Sequence, residues 1–363
     1  EKLSKEGELG RKKITQYTRY GTVLVSIIQS TGIALFLEKT TTPGGAALVP
    51  NPGWAFRLLT ILTLTTGCAF IMWLGEQISE RGIGNGISLI IFAGIVVGLP
   101  AAVAGTLSGI RSNELSLIGI LVLVVFMVLV VAFIVYMERA QRRIPVQYAK
   151  RMVGRKVYGG QSTYLPLRVN TAGVIPVIFA SSLMALPATA AQMFQAPWLQ
   201  KIADQLAWGQ PLHYLLYVVG IIFFSYFYIS IIFNPSDLAE NMRKYGSFIP
   251  GIRSGKKTAE YIDRILTRIS LVGAAYLALV AILPDFLLNG VKMQNLPFIG
   301  PAIDPYLPKF VTEGMGIQFY FGGTSLLIVV GVAMDFLQQV ESQLVMRNYD
   351  GFLKRGRIKG RRG

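Results

Sequence analysis

The chain has 363 residues, of which 52% are apolar and 15% charged, with 35 Lys plus Arg against 19 Asp plus Glu and a formal net charge of +16. So apolar a chain is not a disordered or nucleic-acid-coating basic protein, and an ordinary soluble domain carries about 25% charged residues. One Cys and one His exclude a disulfide framework and any multi-His or multi-Cys metal site. An all-α polytopic membrane protein is the class that remains. The chain opens on Glu1 within a charged stretch and not on Met, which leads us to expect further residues upstream.

In chain order, eight segments carry the roughly 20 mostly apolar residues that a membrane helix needs: 20–37, 54–75, 86–107, 115–137, 171–190, 212–233, 269–288 and 317–337. Threading them alternately places 1–19, 76–85, 138–170, 234–268 and the tail from 335 on one side. That side holds 29 Lys plus Arg against 13 acids, and the other holds five against six. Arg57 lies within the second span, near the acidic side, from where it can snorkel outward. The positive-inside rule makes the basic side, with both ends of this chain, cytoplasmic.

Between these spans, Gly82-Ile-Gly-Asn-Gly86 has the look of a nucleotide loop but follows no strand, so it reads as a tight turn. Gly94 and Gly98 form a GxxxG, a packing signal. The 138–170 segment reads as a basic hairpin, with alternation around Val146 to Lys150 and Lys156-Val157 and a break at Gly159-Gly160. The 170–190 region contains Pro176, Pro187, Gly173 and the Ser181-Ser182 pair, which suggests a broken, pore-adjacent or mobile helix, or equally a Pro-kinked packing helix. His213 opens the next span as an interfacial anchor. The 234–268 segment has a tip at Phe248-Ile-Pro-Gly-Ile-Arg253, then helical spacing of Tyr261, Ile265 and Ile269. Long basic loops of this kind dock partners or simply fix topology. The boundaries that result are 1–137 for the first helices, including the one from 115. After them come 138–170 as a basic hairpin, 171–233 as an irregular helix region, 234–268 as a second basic loop, 269–340 as the last two helices and 341–363 as a basic tail.

The spans are almost free of ionisable groups, with Asp335 at the end of the last helix. An ion-coupled transporter keeps such groups near mid-membrane. No HExxH motif or Ser-His-Asp triad can be built, so no catalytic residue, metal or cofactor is expected. An inverted-repeat secondary transporter for a small solute is the alternative, and a non-transporting scaffold leaves the two long basic loops without a purpose.

Several blocks together resemble the SecY family. These are Gln16-Tyr-Thr-Arg-Tyr-Gly21, Trp73-Leu-Gly-Glu-Gln-Ile-Ser-Glu-Arg-Gly-Ile-Gly-Asn-Gly-Ile-Ser88, Ile91-Phe-Ala-Gly94 and Glu138-Arg139 with Gln141-Arg-Arg143. Asn170 through Ser182, Phe248 through Arg253 and Phe321-Gly-Gly-Thr-Ser-Leu-Leu-Ile328 complete the set. The resemblance implies a ten-helix, inverted-repeat, protein-conducting channel in the bacterial plasma membrane, which passes unfolded secretory polypeptides and releases membrane segments laterally. The eight helices here would be its third to tenth, with the first two and a plug segment expected ahead of Glu1. It implies a pore ring of Ile87, Ile91, Ile178 and Ile328. A lateral gate would lie between the 20–37 helix and the 171–190 and 212–233 helices, with Gln29, Asn170, Ser181 and Ser182 as its polar residues. It also implies docking of the SecA motor ATPase or the ribosome on Arg253, Arg142, Arg143, Arg155, Lys156, Lys256 and Lys257, while the tail Lys354 to Arg362 would meet ribosomal RNA or anionic lipid of the bilayer. SecE and SecG, signal sequences and nascent chains are the remaining implied partners.

Overall fold

The computed structural model describes residues 8–40, 47–111, 117–148, 151–153, 156–158, 162–194, 196–207, 209–290 and 323–355. Six helices within them are long and apolar enough to cross a membrane: Lys12–Glu38, Trp54–Arg81, Gly86–Ser108, Pro211–Lys244, Lys256–Pro284 and Gly323–Met346. They coincide with six of the eight expected spans. The other two are also helical: the 115–137 span is represented by Leu117–Arg139, and the 171–190 span by Ile175–Phe194, whose apolar stretch Ile175–Ala191 is shorter. The chain divides into two compact units, one of residues 1–93, 184–207 and 339–363, the other of 94–183 and 208–338.

In the first unit, α1 (Glu8–Lys39) and α2 (Trp54–Arg81) form an antiparallel pair. Each end of the pair is closed by an ion pair. Arg19 Nη2 lies 2.7 Å from Glu76 Oε2, and Arg57 Nη2 lies 2.7 Å from Glu38 Oε2. The two pairs are 19 residues apart on both helices. At 1.5 Å per residue that is about 28 Å, close to the thickness of a bilayer core. The helices therefore place charges only where an apolar slab would end. Arg57 is more than a snorkelling cation, since it holds Glu38 by two nitrogens, stacks on Trp54 at 5.4 Å and shares Glu38 with the Gly53 N–H.

After α2 the chain turns through Gly82 to Asn85 into α3 (Gly86–Val97). The turn is as tight as the glycines suggest, with Gly84 at φ +96°. Asn85 Oδ1 accepts from the Ile87 and Ser88 N–H groups, capping the new helix. A side chain at Gly86 would run into the Gly75 carbonyl, so α2 and α3 cross where both residues lack one. Of the GxxxG, a Cβ at Gly94 would touch nothing within 4 Å among the described residues, and Gly98 is a turn between α3 and α4 (Leu99–Arg111).

The second unit contains α5 (Leu117–Arg139), followed by β1 (Gln141–Tyr148), β2 (Arg151–Val153), β3 (Lys156–Tyr158) and β4 (Ser162–Arg168). The basic hairpin is present as β1 antiparallel to β4, Ile144 facing Leu165, with a smaller β2–β3 ribbon at its far end. Gly159 and Gly160 lie outside the described residues. Next come α6 (Ile175–Phe194, its first nine residues in this unit), α7 (Pro197–Gln205, in the first unit) and α8 (Pro211–Ile232). Then follow α9 (Pro235–Lys244), β5 (Ser247–Phe248), α10 (Lys256–Asn289) and α11 (Gly323–Arg355).

Two expectations need correction here. The 170–190 region is not a broken helix, because α6 starts at Ile175. This places Gly173 ahead of it and Pro176 in its first turn, where no helical N–H is required, so only Pro187 is interior. The helical spacing from Lys256 is present and continues, because no Gly or Pro interrupts it before Gly273, and α10 runs as one 34-residue helix. On α8 the buried residues His213, Tyr217, Ile221, Ser225 and Ile229 recur every fourth position, which is the ridge that packs against α10. His213 is 2% exposed and lies against the Tyr214 and Tyr217 rings, so it is a core residue of this unit and not a surface anchor.

Candidate functional site

β5 pairs with β1 through Gln147–Phe248 and Tyr148–Ser247, so the second basic loop joins the sheet of the first. Strands β4, β1 and β5 lie in that order. Beneath them Ile144, Val146, Leu167, Met242, Ile249 and Ile262 make one buried apolar cluster. Strand alternation turns Ile144 and Val146 inward and Arg143 outward, while Arg142, near the start of the strand, is exposed as well. Arg253 is exposed at the end of the tip, and its carbonyl accepts from Thr258 Oγ1 at 3.0 Å. Lys256 and Lys257 are exposed on the first turn of α10, and Lys257 pairs with Glu260 at 3.1 Å. Lys156 lies on β3, and Arg155 lies outside the described residues. The predicted docking residues Arg142, Arg143, Arg253, Lys256 and Lys257 thus belong to one sheet-and-helix platform.

The polar gate candidates behave differently from one another. Gln29 is exposed on α1. The Ser181 and Ser182 hydroxyls both donate to the Ile178 carbonyl, at 2.9 and 2.8 Å, and so are satisfied within their own helix. Asn170 is not on a helix. It is 6% exposed in the strap between β4 and α6, and its amide donates to Glu138 Oε1 at 2.6 Å. Of the ring candidates, Ile87 is exposed on α3 with its side chain against Gly75, and Ile91, one turn on, is half-buried. Ile178 on α6 and Ile328 on α11 are half-buried in the second unit.

The sequence reading missed Glu138 as a structural partner. It closes α5, half-buried, and burial pushes its carboxyl up from 4.5 to about 6 against the opposing pull of the Asn170 amide. Nearby, Arg168 Nη1 lies 3.5 Å from Asp335 Oδ1, a long and exposed contact. A usable signal existed, since Glu138 is the first charge after the uncharged Ile118 to Met137 run.

The family model for SecY matches residues 1–337. The chain is 49% identical over 362 residues to the protein translocase subunit SecY of Escherichia coli strain K12, covering 99% of this chain and 76% of that protein. The corresponding subunit of Aquifex aeolicus is 40% identical over 356 residues, covering 98% and 77%. Among solved structures, a protein-conducting channel matches with a TM-score of 0.64 at 18% identity, over 93% of this chain and 74% of that one. Sec61 from the canine ribosome–channel complex of the endoplasmic reticulum matches at 0.57 and 16%, over 93% and 74%. This chain belongs to the SecY family.

Proposed function

We propose that the chain is the channel-forming subunit of a protein translocase, which passes unfolded polypeptides through the membrane and releases apolar segments sideways into it. The observation that carries the reading is the match to translocase subunits at up to 49% identity along nearly the whole chain. The six long apolar helices and the spans at α5 and α6 are then its third to tenth membrane helices. The basic side faces the cytoplasm, as the charge asymmetry requires. Energy comes from a partner, through nucleotide hydrolysis or translation, and the chain carries no catalysis of its own.

On this reading Ile87, Ile91, Ile178 and Ile328 form the constriction. Branched apolar side chains resist ions by dewetting and offer no bond that would trap a moving chain. Ile87 and Ile91 are four residues apart and so share one face of α3. The lateral gate lies between α1 on one side and α6 with α8 on the other. The platform receives SecA and the ribosome, and among the described residues Arg142, Arg143 and Arg253 make no ion pair, so their charge is available to phosphate or carboxylate. SecE and SecG complete the assembly.

The test is reconstitution of the intact chain with these partners in vesicles. An unfolded secretory reporter should become protected from added protease inside the vesicle when the motor is fuelled. Uptake of a small solute without any movement of the reporter would overturn the reading in favour of a secondary transporter.

A further inference from the structure

Residues 168–174 form a short strap that joins the platform strand β4 to the start of α6. It is held on several sides. The Val169 N–H donates to the Ala140 carbonyl at 3.0 Å, at the base of the hairpin. A Cβ on Gly273 of α10 would lie 2.5 Å from the Val169 carbonyl, and one on Gly331 of α11 would lie 2.6 Å from Val174 Cγ1. Both helices therefore touch the strap through positions that lack a side chain. Gly173, at φ +63°, supplies the left-handed residue at which the strap turns into the helix. Within the strap Thr171 Oγ1 donates to the Arg168 carbonyl at 2.8 Å, and Asn170 reaches out of it to donate to Glu138 Oε1 at 2.6 Å.

We propose that Glu138 is a positioning residue for translocation: by gripping Asn170 it fixes the strap, and through the strap the start of α6. The inference rests on the channel reading, in which α6 is a wall of the gate. A hydrogen bond to an ionised carboxylate is roughly twice as strong as one between neutral groups, so the grip is firmest when Glu138 is charged. The groups that face Glu138 are Asn170 on the strap, Arg168 on β4, Tyr276 on α10 and Asp335 on α11. Arg168 favours the charged form, while Asp335 and burial oppose it. The Tyr276 hydroxyl is buried beside the same carboxylate without a hydrogen bond of ordinary geometry, so it stands ready as a second donor. The grip therefore weakens as pH falls through about 6.

The experiment uses the intact chain with its translocase partners in vesicles, across about pH 5 to 8. Reporter translocation is measured alongside the mobility of a nitroxide on Ser182→Cys in a Cys68→Ser background, Cys68 being the single cysteine. Glu138→Ala should slow translocation about tenfold, the shift that loss of one charge-assisted hydrogen bond produces, and should mobilise the label at every pH. Glu138→Gln keeps an acceptor for Asn170. It should hold a rate within about twofold of the parent and abolish the parent's decline below pH 6. Adding Asn170→Ala to Glu138→Ala should cost nothing more. The proposal is overturned if Glu138→Gln is as slow as Glu138→Ala, if Glu138→Gln retains the parent's acid decline, or if Glu138→Ala leaves rate and spectrum unchanged. A parent that moves no reporter at any pH overturns the channel reading instead, and the label spectra still decide whether Glu138 fixes the strap.

Discussion

Ile262 offers a direct test of whether the basic platform has a core of its own. It is 0% exposed, sits in the second turn of α10 and packs with Ile144, Val146, Leu167, Met242 and Ile249 beneath the sheet. Ile262→Ala removes three carbons. At about 0.8 kcal/mol each, with a further cost for the cavity left behind, the platform should lose about 3 kcal/mol. The sign matters as much as the size. An isoleucine facing solvent or lipid would become more stable on this change, because Ala is the better helix former by roughly 0.4 kcal/mol.

Hydrogen exchange reads the difference locally. A loss of about 3 kcal/mol corresponds to roughly 100-fold faster exchange of amides that open with the platform. Peptides from Gln141–Tyr148, Ser162–Arg168 and Pro235–Lys244 should show it, while those from α1 and α2, in the other unit, should not. Unchanged exchange in β1 and β4, or equal acceleration in α1 and α2, would refute a local core under the sheet.

Four further outcomes follow from the same structure. Arg253→Glu should lower partner-driven translocation about tenfold or more with unchanged thermal unfolding, because it reverses an exposed charge and touches no core residue. Ile87→Asn with Ile91→Asn should raise resting ion conductance in planar bilayers, and an unchanged conductance would remove both from the constriction. Gly273→Ala should destabilise by about 1–3 kcal/mol in thermal unfolding, since its methyl would press on the Val169 carbonyl. Finally, burial raises the Glu138 carboxyl from 4.5 to about 6, so the folded chain is favoured while this group is protonated and loses about 2 kcal/mol as pH rises from 4.5 to about 6. Glu138→Gln should recover about that much at neutral pH and nothing below pH 4.5, as read by unfolding midpoints across the range.

Apolar runs and loop charge were legible in the sequence because both are local. Length and hydropathy suffice to mark Trp54–Arg81 or Pro211–Ile232 as helices. Contacts between distant residues were not. Only two residues of β5 pair with β1, 99 or more positions away, and Ser247-Phe248 carries no strand signal of its own. Asn170 and Glu138 are 32 residues apart, and neither type announces the other. The four isoleucines of the proposed ring are the least legible, since an apolar residue lining a constriction and one filling a core have the same chemistry. The paired spacing of Arg19 with Glu38 and Arg57 with Glu76, 19 residues in each case, was open to reading and marks both ends of a bilayer-length hairpin.

Within the second unit, part of the net charge of +16 is presented by arginines that no described acid takes up. Among the described residues, several acids near the platform have partners other than these arginines, while Asp263 is exposed on α10. Glu240 pairs with Lys244 and Glu260 with Lys257 within their own helices, Asp237 accepts from Asn234 at a helix start, and Glu138 is turned inward to Asn170. Arg142, Arg143 and Arg253 are left exposed on a sheet whose apolar side is fully occupied. Positive charge that only fixed topology would need no such arrangement, because any position on the correct side serves that purpose. Placing it on a folded surface, away from neutralising carboxylates, is what recognition of an anionic partner requires. The β4 strand, paired with the β1 strand that carries Arg142 and Arg143, continues through the 168–174 strap into α6, so a load applied at these arginines has a path through the sheet to the helix assigned to the proposed gate.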